Sequence, residues 1–293
     1  MQIIPTSLTG RTGATALVAF CCLLTAQAQN PPATPAPPSA PVQAAATANL
    51  NDTLLARATS LYDSTAKSGL RSFDCEVRPD WSKIMLSSRK GAPIAAGDTR
   101  LDLLNTVKIT LHGRIKGSST LDWQIPAHSA TPLDASSAAI LDKAHRGIEN
   151  TLQGVLKLWI PLVDGSVAES FGEEDAELAQ TENGYTLRLN DKNHSVAEEF
   201  DRNLLLKQFV VNGSGSSVNI APIFEPTSSG LLLSSFVARI QPAGAPAESA
   251  QQMHVAIEYQ PIAGTQIPSR LSVEIPHVVQ MDFAFDACTV NRP

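Results

Sequence analysis

Apolar residues recur along this chain at two intervals, and the interval separates a few helices from many strands. Phe73, Cys75 and Val77 alternate with Asp74, Glu76 and Arg78, the two-residue period of a strand with one dry face. The alternation returns at Val107, Ile109 and Leu111, at Leu121, Trp123 and Ile125, and at Tyr185, Leu187 and Leu189. It dominates the last third of the chain: Met253, Val255, Ile257 and Tyr259, then Leu271, Val273 and Ile275, then Val279, Met281, Phe283 and Phe285. Runs from Leu204 to Val211 and from Leu231 to Ile240 add two strands. Parallel strands covered on both faces read as continuous apolar runs, so this one-sided pattern predicts antiparallel pairing.

The longer period appears twice. Leu54, Leu55, Ala58, Leu61 and Tyr62 share a helical face behind Asn51, a good capping residue, and Gly69 ends that segment. From Ser136 to Trp159, Ile140, Leu141, Ala144, Ile148, Leu152, Val155, Leu156 and Trp159 form one stripe, with charged and amide side chains opposite. Pro161 predicts the stop, because its ring cannot continue the hydrogen-bond ladder. Each large apolar side chain buried contributes roughly 1.5–3 kcal/mol, so the stripe supplies on the order of ten kcal/mol gross toward docking on a sheet. The expected class is α+β, mainly antiparallel β: a curved sheet with one apolar face, covered by an N-terminal helix and one long amphipathic helix.

Ahead of the first helix both patterns fade. Arg11 is the one charged residue before the apolar run Ala14 to Leu24, and Ala26-Gln27-Ala28 fits a signal-peptidase site with cleavage before Gln29. A run of this length is too short to span a bilayer. Residues 1–28 are thus read as a signal peptide, 29–49 as a disordered Ala/Pro-rich spacer, and 50–293 as a single β-rich domain. The expected location is periplasmic or secreted, in a bacterium. No later segment approaches the roughly 18 consecutive apolar residues of a membrane span. Lys and Arg number 22 against 28 Asp and Glu, and loss of Arg11 makes the balance about −7. With no basic block and a net negative charge, no nucleic-acid partner is expected.

Four cysteines reduce to two. Cys21 and Cys22 fall inside the export signal, and Phe20 is too large to precede a lipid-attachment cysteine. Cys75 and Cys288 remain, in a compartment that permits oxidation. A bridge would close about 210 residues, worth upward of roughly 4 kcal/mol in the chain-entropy description. Cys75 shares a face with Phe73 and Val77, whereas Cys288 is on the opposite parity from Phe283 and Phe285. A bulge at Asp286 or Ala287 restores the phase, and the disulfide is expected on that basis.

The chemical motifs that would mark an enzyme are absent from the sequence. There is no Gly-x-Ser-x-Gly elbow, no dinucleotide fingerprint and no Walker loop. Gly213-Ser214-Gly215-Ser216-Ser217 sits between strand-like runs and reads as a hairpin loop. The six histidines are scattered, with none beside a cysteine, and His112 and His254 fall on polar strand faces, so no metal or cofactor is expected. Glu173, Glu174, Asp175 and Glu177 read as a solvated turn. Glu198 and Glu199 point to opposite faces of a strand-like segment and cannot form a close acid/base couple.

The order of elements resembles the outer-membrane lipoprotein-sorting carriers and their relatives: a helix from Leu54 to Lys67, a strand from Ser72 to Arg78, then antiparallel strands covered by helix. The stretch Tyr259-Gln-Pro-Ile262-Ala-Gly264-Thr-Gln-Ile267-Pro268, in which a strand ends, a glycine turn follows and an apolar-Pro pair opens the next strand, is similar to theirs, as is the closing strand Val279 to Val290. The resemblance implies an incomplete β-barrel whose concave apolar face is closed by helices and holds acyl chains. The function it implies is a noncatalytic exported protein that binds a lipid or other apolar ligand beneath the long helix, at Ile148, Leu152, Leu156, Trp159, Phe283 and Phe285. No polar residue to grip a head group can be placed from the sequence. The alternative is a cell-envelope protein interaction module with a filled core. A pocket of several hundred Å³ favours the carrier, and a solid core favours the module.

Overall fold

Among the described residues there are twelve antiparallel strands, most of them from the alternating segments: β1 (Ser72–Pro79), β2 (Lys108–Arg114), β3 (Thr120–Gln124), β4 (Glu177–Gln180), β5 (Gly184–Asn190) and β6 (His194–Asp201) in the first two thirds. The remainder is β7 (Leu206–Gly213), β8 (Ser216–Thr227), β9 (Gly230–Pro242), β10 (Gln251–Ile262), β11 (Thr265–Ile275) and β12 (Val279–Asn291). In this computed structural model, which describes residues 41–88, 97–125, 134–173, 175–190 and 194–292, they form one sheet in the order β3-β2-β1-β12-β11-β10-β9-β8-β7-β6-β5-β4. Among the described residues β3 and β4 each have a single neighbour, so the sheet is open. Residues 1–28, expected to be a signal peptide, and residues 29–40 of the expected spacer lie outside the described residues.

The inward parity holds strand by strand. Phe73, Cys75 and Val77 are buried, as are Met253, Val255 and Ile257, Leu271 and Val273, and Met281, Phe283 and Phe285. Three strands lack a clean alternation, although the segment of Glu198 and Glu199 and the run after Ser217 read as strand-like. β4 is only four residues long, β8 contains Pro222 and Pro226, which lack a ladder N–H, and β6 carries Glu198 on its buried face. Ser214-Gly215 joins β7 to β8 as a tight loop, as its composition indicates. Register shifts place an extra residue at Lys207, Ser234 and Ser269, and bulges of this kind bend a strand and increase its twist.

The same device settles the cysteine phase. Between Asp74 and Glu76 the pairing of β1 with β12 moves from Thr289 to Asp286, three residues against two, and Ala287 takes up the excess at φ 47°. Cys288 is thereby turned toward Cys75, and the two sulfurs lie at disulfide distance, 2.03 Å.

The helices differ from expectation at their ends. The first, α1 (Pro41–Leu61), begins well before Asn51, so Asn51 is an interior residue and not a cap, and the last part of the expected spacer is helical. Ala44-Ala45-Ala46 has the highest intrinsic helix propensity, and Pro41 fits a first turn. The helix also stops sooner than Lys67, because Tyr62 bridges Leu231 and the Asp63 N–H donates to the Leu231 carbonyl at 2.9 Å. A separate turn, α2 (Thr65–Ser68), follows and ends at Gly69 in the left-handed region. Two short helices, α3 (Trp81–Ser88) and α4 (Thr99–Asn105), precede β2, each opened by an aspartate, Asp80 or Asp98, that accepts from a backbone N–H.

The long helix α5 (Ala135–Val163) is capped by Asp134, which accepts from Ser137 N–H at 2.7 Å. It does not stop at Pro161. A proline so near the end removes one ladder bond, while burial of Leu162 and Val163 anchors the final turn and Asp164 N–H closes on the Ile160 carbonyl at 2.9 Å. A short helix, α6 (Ser166–Glu169), and a 3₁₀ turn (Ser170–Gly172) complete the cover. Among the described residues the buried apolar side chains join one continuous core between these helices and the sheet. No helix among the described residues is long and apolar enough to cross a membrane.

Candidate functional site

The stripe of α5 faces β1, β2, β10, β11 and β12. All six residues expected to meet an apolar ligand are buried, with Ile148 at 2% exposure and Phe283 at 0%. Leu152, Leu156, Trp159 and Phe285 surround a void of about 20 Å³ together with Phe73 and Ile257, whereas Ile148 and Phe283 are packed elsewhere in the core. A void of this size has room for about one water molecule, and its lining exposes no polar surface. Phe73 fills the space by lying against Trp159, ring centroids 6.2 Å apart, and over Gly113, where any side chain would strike its ring. The core beneath the helix is thus nearly filled.

Trp159 has a second face. Its indole N–H donates to the Tyr259 hydroxyl at 3.0 Å, tying α5 to β10. On the outer side of this pair lies a pocket of about 180 Å³ whose walls include Asp63, Thr65, Lys67, Ser229 and Gln266. The walls come from four places: α2 and the residues before it, the β8–β9 turn, the β10–β11 turn and the end of α5. The β10–β11 turn holds Ala263 and Gly264 at positive φ, so the stretch singled out in the sequence forms a hairpin at the pocket's rim. Asp63 accepts from the Ser229 hydroxyl at 2.6 Å, Lys67 donates to the Tyr62 carbonyl, and the buried Thr65 hydroxyl has no hydrogen-bond partner among the described residues. Burial holds the Tyr259 phenol well above its ordinary pKa, opposed by the Trp159 hydrogen bond, so it stays neutral.

Other polar groups are arranged for structure. Ser170 donates to Glu198 at 2.6 Å, and burial raises that carboxyl to about 7, with the Ser170 bond opposing the rise. Tyr62 donates to the Leu204 carbonyl and accepts from Leu206 N–H, both at 2.7 Å, spanning the turn in which Leu204 has φ 66°. Glu199 is exposed on the opposite face from Glu198, as the alternation indicates. The exposed Glu173 and Asp175 flank a broad open hollow of about 520 Å³ beside Leu55 and Glu169. His112 lies between Asp74 at 2.5 Å and Asp122 at 3.3 Å on the outer face, and His254 meets Gln252 there. Among the described residues no three His, Cys, Asp or Glu side chains come together as a metal site.

Sequence alternation found the apolar lining but not the pocket beside it. Thr65, Lys67, Ser229 and Gln266 become neighbours only through two hairpin turns and the break after Leu61. Glu198 did leave a signal: it keeps phase with Val196 and Phe200, which places a carboxyl on an apolar face. No protein-family model matches this chain, and neither the curated proteins nor the solved structures yield a match.

Proposed function

We propose that this is a noncatalytic exported protein of a bacterial envelope that binds an amphipathic, acyl-bearing ligand, with the curved sheet acting as a half-barrel and α5 as its lid. The observation that carries the reading is the meeting of two unlike spaces at Trp159: a dry apolar seam on one side and a 180 Å³ pocket with polar walls on the other. A ligand with a polar end and a hydrocarbon chain needs that succession of environments. The seam is closed as it stands, so entry requires α5 to move outward, exchanging its own apolar side chains for those of the ligand. The exchange is balanced in kind, because both surfaces bury hydrocarbon against the same strands. The resemblance to lipoprotein-sorting carriers supports the same ligand class.

Native mass spectrometry and lipid extraction of the protein purified from its own envelope test this. Bound acyl-bearing molecules are the expected result. A reproducibly empty protein that also fails to take up added acyl chains would overturn it in favour of the second reading, an envelope interaction module with a filled core. The void of only about 20 Å³ beneath α5 is the observation that favours that alternative.

A further inference from the structure

We infer that the pocket outside Trp159 is the head-group site for a long-chain carboxylate, gripped by Lys67, Thr65 and Tyr259. This rests on the proposed acyl-chain reading and adds to it the charge and chemistry of the ligand's polar end. The donors converge from two elements. Thr65 is only 6% exposed, yet its hydroxyl oxygen has no partner among the described residues, an expensive arrangement unless something polar meets it. Lys67 donates one hydrogen bond to the Tyr62 carbonyl, and an ammonium can donate three. Tyr259 accepts from Trp159, so its own proton is the one it can give to a ligand oxygen.

Asp63 is the pocket's anionic wall, and it does not rule out an anionic guest. Its carboxylate already accepts from Ser229 at 2.6 Å, which directs it toward the β8–β9 turn. Lys67 and Tyr259 at one space, with the unpartnered Thr65 hydroxyl behind its wall, are three donors of which one is a cation, and they favour a group that accepts several hydrogen bonds and carries negative charge. The available volume suits a small head: 180 Å³ equals the liquid share of roughly six waters, enough for a carboxylate with residual solvent. Trp159 then marks where the head ends and the chain begins, since it borders both spaces.

The test is a fluorescence titration of the full protein with cis-parinaric acid and, in parallel, with its methyl ester, which keeps the chain and removes the charge. The acid is expected to bind at least about tenfold tighter than the ester, the scale of one charge-assisted hydrogen bond. Lys67→Met is expected to erase that advantage, so that acid and ester bind alike, and Thr65→Val to reduce it. Equal binding of acid and ester to the unaltered protein would overturn the head-group assignment while leaving the acyl-chain reading in place. Binding of neither probe would overturn both. Circular dichroism of each variant establishes that it folds. Should Lys67→Met not fold, Gln266→Glu, which adds a negative charge to the same wall, is expected to weaken the acid and spare the ester, and equal loss of both would count against the assignment.

Discussion

The two halves of the sheet are covered by different physics. Over β2, β1, β12, β11 and β10, the long helix meets the strands through hydrocarbon and aromatic rings, with Trp159 and Tyr259 as a polar contact at one end. Over β6 to β9, the end of α1, α6 and the 3₁₀ turn add directional polar bonds to an apolar packing that includes Leu54, Ala58, Val167 and Phe209: Tyr62 on Leu204 and Leu206, and Ser170 on Glu198. Phe171 against Phe200, centroids 4.8 Å apart, adds an apolar contact beside them. Directional bonds specify one geometry and penalise its loss, whereas dispersion and burial tolerate exchange of one hydrocarbon for another. On the proposed reading the halves have different work: a cover that a ligand chain would replace, and a cover that fixes the rest of the sheet.

The largest expected effect breaks the dry half. Phe73→Ala removes a ring that is 1% exposed and packed against Trp159. Loss of a buried phenylalanine costs about 3–5 kcal/mol, part of it from the cavity left behind. Chemical denaturation with intrinsic fluorescence is expected to show that loss. If the seam accepts acyl chains, an added chain is expected to recover more stability in this variant than in the unaltered protein, because the new cavity adjoins the existing void.

The next effect belongs to the polar half and depends on pH. Glu198 titrates near 7 in the folded protein because it is buried, against about 4.5 in the unfolded chain. Below 4.5 both states hold the proton and there is no penalty. As pH rises from about 4.5 to 7 the unfolded chain ionises first, so stability falls across that window and stays reduced above it. The full loss is on the order of a few kcal/mol. Glu198→Gln keeps the shape and an acceptor for Ser170, and its denaturation midpoint is expected to be flat over the same window. A parallel pH dependence in both proteins would show that Glu198 is not the group responsible.

The dry half was legible in the sequence and the polar half was not, for a reason visible in the residues. Alternation reports which side chains face inward, and Phe73, Val255, Leu271 and Phe285 needed nothing more. It even located the bulge that brings Cys288 to Cys75, because the phase error fell between two marked apolar positions. Glu198 obeys the same parity, but its charge makes it read as solvent-facing until Ser170 is known to cover it. Tyr62 bonds across 142 and 144 residues to backbone atoms of Leu204 and Leu206, and a backbone atom has no sequence signature. The candidate site divides in the same way: its apolar wall follows from periodicity, and its polar wall depends on where two hairpins turn.

The smallest effect lies on the outer face of the dry half, where β1, β2 and β3 bring His112 between Asp74 and Asp122. The hydrogen bond to Asp74 is the main cause of a raised imidazole pKa, with Asp122 adding to it and slight burial opposing. A raised folded pKa stabilises the fold fully below the unfolded value near 6.5, and that stabilisation is lost as pH climbs through the folded value. Its sense is the same as that of Glu198, stability falling as pH rises, but its window lies higher and its size is smaller. His112 and both carboxylates are partly exposed, so solvent screens the pair and the contribution is below about 1 kcal/mol. His112→Gln is expected to remove only the upper part of the pH dependence, and 0.5 M salt is expected to do much the same, whereas neither should alter the lower part set by Glu198. Comparing the two variants across pH 4 to 9 therefore separates an interior carboxyl from a surface imidazole, and would fail to do so only if the polar half were open to solvent.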